Sequence, residues 1–178
     1  MSAANSNSEN RPVSPGANPF AIRKLRNEEV ETASALAVQV FEQFVAPAYS
    51  LEGRAKFENY ASAHALRERH CDNHVTLVAD KKGRMVGMLH LKDARHISML
   101  FVCREFQRSG VGRALIHAAV EQSQSGTDSV RVITVNSSPN AIHAYRRLGF
   151  HENGSERTVG GIRFIPMQML IETGMPPP

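Results

Sequence analysis

The sequence contains no tryptophan and only two cysteines, Cys71 and Cys103. Two cysteines cannot build a disulfide framework, and no CxxC-type spacing offers a zinc site. Both read as buried or half-buried free thiols. A reducing cytoplasm fits that usage, and no metal is expected. Long apolar runs are also missing. None approaches the ~20 residues needed to span a bilayer, so no membrane partner is expected. Ser2 to Asn18 is rich in Ser, Asn and Pro and holds no apolar stretch. No secretory signal is therefore expected, and residues 1–18 read as a disordered tail. No block of Lys and Arg is interleaved with aromatics, which argues against nucleic acid. Internal repeats and interdomain linkers are absent too.

What remains is an ordinary globular composition. The 178 residues are 42% hydrophobic and 21% charged, which suits one domain. That domain is expected over residues 19–173, followed by a short Pro-rich tail at 174–178. The net charge of +4 and a pI near 9.4 suit an anionic ligand.

Periodicity orders the elements. A short strand is expected over Phe20–Leu25. A helix follows, with Asn27 as N-cap, Glu28 and Glu29 in its first turn, and Pro47 ending it. A second helix is expected from Leu51 to Arg69, capped by Ser50. Strands follow at Val75–Ala79, Met85–Leu91 and His96–Cys103, the first two joined as an antiparallel hairpin. A helix spans Gly110–Ser123, and Val130–Val135 is a β-branched strand. Ser138-Pro139 opens another helix that Gly149 closes. Two strands end the domain, Ser155–Val159 and Ile162–Ile171, turning on Gly160-Gly161. Pro166 places the last run at an edge or bulge, or breaks it in two. The order β-α-α-β-β-β-α-β-α-β-β predicts an α/β (α+β) fold with a mixed sheet flanked by helices. The helical crossover after Cys103 predicts that its strand and Val130–Val135 run parallel.

The most informative stretch is Gln107-Arg108-Ser109-Gly110-Val111-Gly112-Arg113, where a strand gives way to a helix. A helix N-terminus offers unpaired N–H groups and the positive end of a dipole. Glycines there let the main chain approach an anion, and Arg108 and Arg113 add charge. On residues alone, a tight turn with a solvated basic rim is the competing account. Two nucleotide fingerprints fail: the third position after Gly112 is Leu115, not glycine, and no GxxxxGK[ST] occurs.

This stretch resembles the [Q/R]-x-x-G-x-[G/A] motif of the GNAT superfamily of N-acetyltransferases. A second block, Asn136-Ser137-Ser138-Pro139-Asn140-Ala141 and then Tyr145-Arg146-Arg147-Leu148-Gly149-Phe150, resembles that family's N-x-x-[A/P]-x-x-x-Y-x-x-x-G-F pattern. The resemblance covers Phe20 to Ile171. It implies a GNAT-like acyl-CoA N-acyltransferase fold, acetyl-CoA as co-substrate and direct transfer to a primary amine in a ternary complex. The Gln107–Arg113 turn would hold the pyrophosphate, and the main chain of Leu100, Phe101 and Val102 the pantetheine arm. The oxyanion donor would be a backbone N–H near Phe101 or Val102. Asn136 would hold a water or the acceptor. Asn140 would touch the pantetheine or cap its turn.

Such a transfer needs a base for the ammonium, a polarised carbonyl and a proton for the departing thiolate. The resemblance assigns the thiolate's acid to Tyr145; by spacing alone, Tyr145 shares a core face with Ala141 and Leu148. Some members carry a basic glutamate fourteen positions before the first motif glycine, and that position here is His96. His96 is the base candidate on that count, with His90, Glu52 and ordered water as alternatives. Phe44, Pro47, Tyr49, Phe57 and Tyr60 form either an acceptor wall or packing, with Tyr49 the best exposed. A non-catalytic acyl-CoA sensor of the same fold is the alternative function. Such domains are often dimers, and the strand carrying Pro166 is the edge a homodimer would use.

Overall fold

The computed structural model describes residues 19–69, 73–125 and 131–171. Both expected tails and Cys71 lie outside them. Among the described residues, eight strands and five helices form three layers. The strands are β1 (Ala21–Lys24), β2 (His74–Lys81), β3 (Arg84–Lys92), β4 (His96–Val102), β5 (Val132–Ser137), β6 (His151–Glu152), β7 (Arg157–Val159) and β8 (Ile162–Leu170). The helices are α1 (Val30–Phe44), α2 (Leu51–Ala61), α3 (Ala63–Arg69), α4 (Val111–Gln124) and α5 (Ile142–Arg147). The sheet order is β1-β2-β3-β4-β5-β8-β6, with β7 beside β8. Only β4 and β5 run parallel, as the crossover requires.

Strand alternation gives the sheet two apolar faces. Leu89, Leu91, Ile97, Ile133, Val135 and Met167 face α4 and α5. Val78, Met88, Met99 and Phe101 face α1, α2 and α3. Burial on both sides fixes the register, because a slip of one residue would turn each apolar set to the wrong layer.

Several boundaries differ from expectation for local reasons. Asn27 is not a helix cap. It opens a short 3-10 turn, Asn27–Glu29, and α1 starts at Val30. The Glu29 carboxylate is held by the Arg23 guanidinium at 2.6 Å to each oxygen and accepts the Arg26 N–H at 3.3 Å. α1 stops at Phe44, and Pro47 lies in a separate 3-10 turn, Ala46–Ala48. The expected helix Leu51–Arg69 is two helices. Ser62 interrupts it: its hydroxyl donates to the Asn59 carbonyl and accepts the Ala65 N–H, ending one helix and capping the next. Ser50 caps α2 as expected, accepting the Gly53 N–H at 3.1 Å. Pro139 begins a 3-10 turn rather than α5 itself, and Ser138 makes no side-chain cap. Gly149 closes α5 as expected: Phe150 N–H reaches the Tyr145 carbonyl and Gly149 N–H that of Arg146.

Pro166 neither breaks β8 nor marks an edge. β8 pairs with β5 on one side and with β6 and β7 on the other. The Pro166 carbonyl accepts the Asn153 N–H at 2.8 Å. In an antiparallel strand a residue's N–H and C=O point to the same side. The missing N–H therefore faces the Asn153–Glu156 excursion between β6 and β7, where no ladder bond is lost. Over these residues β8 is an inner strand, so it is not the free edge a homodimer was expected to use.

Candidate active site

The sheet opens where its two parallel strands part. β4 and β5 pair only at His96↔Thr134 and Ile97↔Val135. The next residue of β4 is the cause. Against β3, Ile97 pairs with Leu91 and Met99 with His90, so Ser98 is an extra, bulged residue. A bulge adds local twist and re-aims the strand, and β4 swings away from β5. The result is a V that opens toward the carboxyl ends of both strands, the usual place for a ligand beside parallel strands.

The exposed edge of β4 has a definite pattern. Cys103 N–H bonds to the Val86 carbonyl on β3. By alternation the Phe101 N–H also faces β3, while the main-chain groups of Leu100 and Val102 face the V. The Val102 carbonyl is taken by the Gln107 amide at 3.2 Å. The Leu100 N–H and C=O and the Val102 N–H lie beyond the last residue pair between β4 and β5, Ile97↔Val135. Of the two oxyanion donors expected, only Val102 points the right way; Phe101 instead sends its ring to the α2 face, edge-on to Phe57 at 5.5 Å.

The turn Gln107–Gly110 stands at the mouth of the V. Arg108 has φ 62° and Gly110 φ 95°, and the Ser109 hydroxyl donates to the Phe106 carbonyl at 2.6 Å. Gly110 occupies the N-cap of α4 with no side-chain cap, so the first-turn N–H groups of Val111, Gly112 and Arg113 have no partner within the helix. A Cβ on Gly110 would meet nothing within 4 Å, and one on Gly112 would meet only Leu148 Cδ1 at 4.0 Å. The fold itself does not exclude a side chain at Gly112. Arg108 and Arg113 are exposed. Lys81 and Arg84 flank the Phe106 ring beside the turn, a basic contribution from the β2–β3 hairpin that sequence distance conceals.

Tyr145 comes from α5 on the β5 side. It is 8% exposed, packs edge-on against Phe150 at 5.4 Å and belongs to the α4–α5 core. Burial, and then the nearby Tyr49 phenol, push its hydroxyl well above the ordinary tyrosine range. The hydroxyl makes no hydrogen bond to a described residue. Tyr49, from the loop after α1, is half-buried, edge-on to Phe41 at 5.5 Å, and also raised by burial. The fold thus joins two tyrosines that the sequence offered for separate roles. Phe57, by contrast, stacks on Phe41 at 3.8 Å, and Tyr60 lies under the Arg69 guanidinium. These two are packing.

His96 lies at the closed end of the V. Its Nδ1 is 2.8 Å from Thr134 Oγ1. Burial, then the charge of Lys92, lower its pKa, against an opposing pull from Asp93. Asn136 is exposed two residues further along β5, about 7 Å of strand away. Asn140 donates to the Phe44 carbonyl at 3.1 Å, tying the start of α5 to the end of α1. Of the other base candidates, His90 is buried between Thr76 Oγ1 at 2.8 Å and His74 Nδ1 at 3.0 Å, and Glu52 is exposed and paired with Lys56 at 2.6 Å. Cys103 is half-buried with its thiol pushed up by burial first. Among the described residues, no three His, Cys, Asp or Glu side chains gather as a metal site, and no helix is long and apolar enough to cross a membrane.

Comparison with known proteins agrees with this fold. A GCN5-related N-acetyltransferase from Rhodopseudomonas palustris is 25% identical, with a TM-score of 0.71 over 85% of this chain and 96% of its own. An N-acetyltransferase from Thermoplasma acidophilum, solved in complex with coenzyme A, shares the fold at 19% identity and a TM-score of 0.69, covering 85% of this chain and 99% of that one. The yncA protein of Salmonella typhimurium, solved with its cofactor acetyl-CoA, does so at 17% identity and 0.66, covering 90% and 99%. No curated protein matches by sequence. The family model of the acetyltransferase (GNAT) domain matches residues 45–171, and the chain belongs to that family.

Proposed function

We propose that the chain transfers the acetyl group of acetyl-CoA to a primary amine in a ternary complex. The observation that carries this reading is the V between β4 and β5 with the uncapped start of α4, where Gly110 and Gly112 flank the buried Val111, at its mouth. The first-turn N–H groups, Arg108 and Arg113 bind the pyrophosphate. The Leu100 C=O and one of the Leu100 and Val102 N–H groups pair with the amides of the pantetheine arm, as an added strand would, leaving the other N–H free. This sets the thioester inside the V. The Val102 N–H, or that of Leu100, stabilises the oxyanion as the amine nitrogen attacks the carbonyl carbon. The carbon–sulfur bond then breaks, and Tyr145 supplies the thiolate's proton. His96 takes the proton of the ammonium, directly or through water; Asn136 positions that water or the acceptor.

The first test is thermal unfolding with acetyl-CoA, CoA and NAD in parallel, followed by dye because the chain has no tryptophan. Acetyl-CoA at 100 times its Kd should add about 2.7 kcal/mol of stability, and NAD should add none. No shift with either CoA species at millimolar ligand would sink the reading. Thiol release with an amine panel then separates an enzyme from a non-catalytic acyl-CoA sensor.

His96 has a distinct signature. With Nδ1–H donating to Thr134, Nε2 is the basic nitrogen. Its lowered pKa means that the unfolded chain binds this proton at higher pH than the folded one. Stability linked to His96 is therefore complete above about pH 6.5 and is lost as pH falls toward the folded value. The acid limb of kcat/KM should lie below pH 6.5 for the same reason. His96→Gln should remove that limb, flatten the acid side of the Tm profile and lower kcat about 100-fold. An unchanged limb would return the base role to ordered water.

A further inference from the structure

Two threonine–histidine pairs lie on the sheet face that α1, α2 and α3 cover, and they differ in one respect. In the first, Thr76 Oγ1 stands 2.8 Å from His90 Nδ1, and His90 Nε2 stands 3.0 Å from His74 Nδ1. Thr76 and His90 are both buried. Both nitrogens of the His90 ring are used, so this pair serves the core. In the second, Thr134 Oγ1 stands 2.8 Å from His96 Nδ1, and His96 Nε2 has no hydrogen-bond partner among the described residues. The second pair is open at the nitrogen that could take a proton.

The sheet fixes where Thr134 stands. It lies opposite His96 in the parallel ladder and opposite Gln168 on β8. Its own N–H bonds to the Arg95 carbonyl at 2.9 Å, beside the residue its hydroxyl meets. Ile133, Val135 and Ile97 enter the α4–α5 core, and alternation turns Thr134 and His96 to the other face. There the core under α1, α2 and α3 takes no described residue from β5. The pair therefore sits at the margin of that core, half-buried. Strand formation does not ask for the hydroxyl. Val132-Ile133-Thr134-Val135 is a β-branched run, and valine would suit the strand as well as threonine. The charged groups acting on His96 are Lys92, opposite it on β3, and Asp93 in the turn that follows. A charged lysine cannot accept a ring N–H, whereas the Thr134 oxygen can.

We infer that Thr134 is a positioning residue, whose hydroxyl accepts the His96 Nδ1–H, fixes the ring and leaves Nε2 to take the ammonium proton. The inference rests on the acetyltransferase reading and on His96 as its base. Which ring nitrogen is basic follows from the bond that the other makes. Without the hydroxyl, the ring is free to turn and to carry its proton on Nε2, where it cannot receive one from the amine. The bond is also stronger for the imidazolium than for the neutral ring, so its loss lowers the His96 pKa further.

The test compares Thr134→Val, Thr134→Ser and Thr76→Val. Thiol release from acetyl-CoA is followed with the most active of n-butylamine, phenethylamine and spermidine. Thr134→Val should lower kcat/KM about tenfold or more, move the acid limb to lower pH and leave the acetyl-CoA thermal shift unchanged. Thr134→Ser keeps the hydroxyl and should stay within about threefold of wild type. Thr76→Val should lower Tm and leave the acid limb in place. Nitrogen NMR at about pH 8, with the His96 signals assigned by their absence from His96→Gln, should show Nδ1 protonated in wild type and the proton moved toward Nε2 in Thr134→Val. The role of Thr134 is overturned if Thr134→Val keeps kcat/KM within about twofold while His96→Gln loses the acid limb. It is also overturned if Thr134→Val loses turnover with the His96 tautomer unchanged, if Thr134→Ser loses as much as Thr134→Val, or if Thr76→Val moves the limb as far. An active His96→Gln with an unmoved limb overturns the base reading itself. A wild type that releases no thiol with any of the amines overturns the acetyltransferase reading, and the role of Thr134 with it.

Discussion

Replacing Tyr145 by phenylalanine should lower kcat about 10²–10⁴-fold, the range for losing a positioned acid, and leave acetyl-CoA affinity and thermal stability almost unchanged. The expectation follows from an unusual combination. The ring is buried in the α4–α5 core against Phe150, and phenylalanine preserves that packing. The hydroxyl has no hydrogen-bond partner among the described residues, so its loss strands no donor or acceptor and should cost less than about 1 kcal/mol. Burial raises the phenol's pKa, so it stays protonated across the neutral range and offers its proton wherever a thiolate forms. Because no titration of Tyr145 falls near neutrality, the pH profile should keep its shape and lose only amplitude. Steady-state kinetics from pH 6 to 9, with Tm measured alongside, checks each part. Normal turnover would remove Tyr145 from the mechanism and leave it a core tyrosine. Tyr49→Phe provides the comparison, because Tyr49 is the more exposed of the pair.

Much of this arrangement is legible in the sequence because it is local. The Gln107–Gly112 turn, the Ser50 cap and the Gly149 terminus each depend on residues within one turn of chain, where side-chain chemistry dictates geometry. Helix breaks are less legible. Ser62 divides α2 from α3 with one hydroxyl serving both helices, and a serine inside an apolar periodicity carries no unique sign of that. The two-residue β6 is too short to show any period. Contacts between distant segments are the least legible. Gly53 and Gly161 look like a weak helix position and a hairpin turn until the fold presses them together. The Ser98 bulge, which opens the V, exists only in the register between β3 and β4. Thr134 becomes a partner of His96 only because two parallel strands place them opposite each other. Pro166 signals an edge by its missing N–H, yet the site that tolerates it is a gap between two neighbouring strands.

Gly112 offers the sharpest separation of fold from function. Gly112→Asp should leave the ligand-free protein at least as stable as wild type, yet weaken acetyl-CoA binding 100-fold or more, about 2.8 kcal/mol. Three facts bear on the first half. Glycine is a poorer helix former than aspartate. An acidic side chain in the first turn of a helix is favourable by about 0.3–1 kcal/mol. The space at Gly112 is open, with Leu148 Cδ1 4.0 Å from an added Cβ. By every criterion internal to the protein, a side chain at this position is acceptable or better. The second half follows from the same emptiness. On the proposed reading, the open side of Gly112 is where the pyrophosphate approaches the first-turn N–H groups, and a carboxylate there would fill the cradle and repel the anion. Gly112→Ala should fall between, with a smaller affinity loss from bulk alone. Gly110 is a poorer probe, because its φ of 95° would strain any replacement and mix folding with binding. Denaturant midpoints without ligand, set beside calorimetric Kd values for acetyl-CoA, read the two effects separately. Parallel losses in both would mean that Gly112 serves the fold, whereas a gain in one against a loss in the other would mark the start of α4 as shaped around an anion.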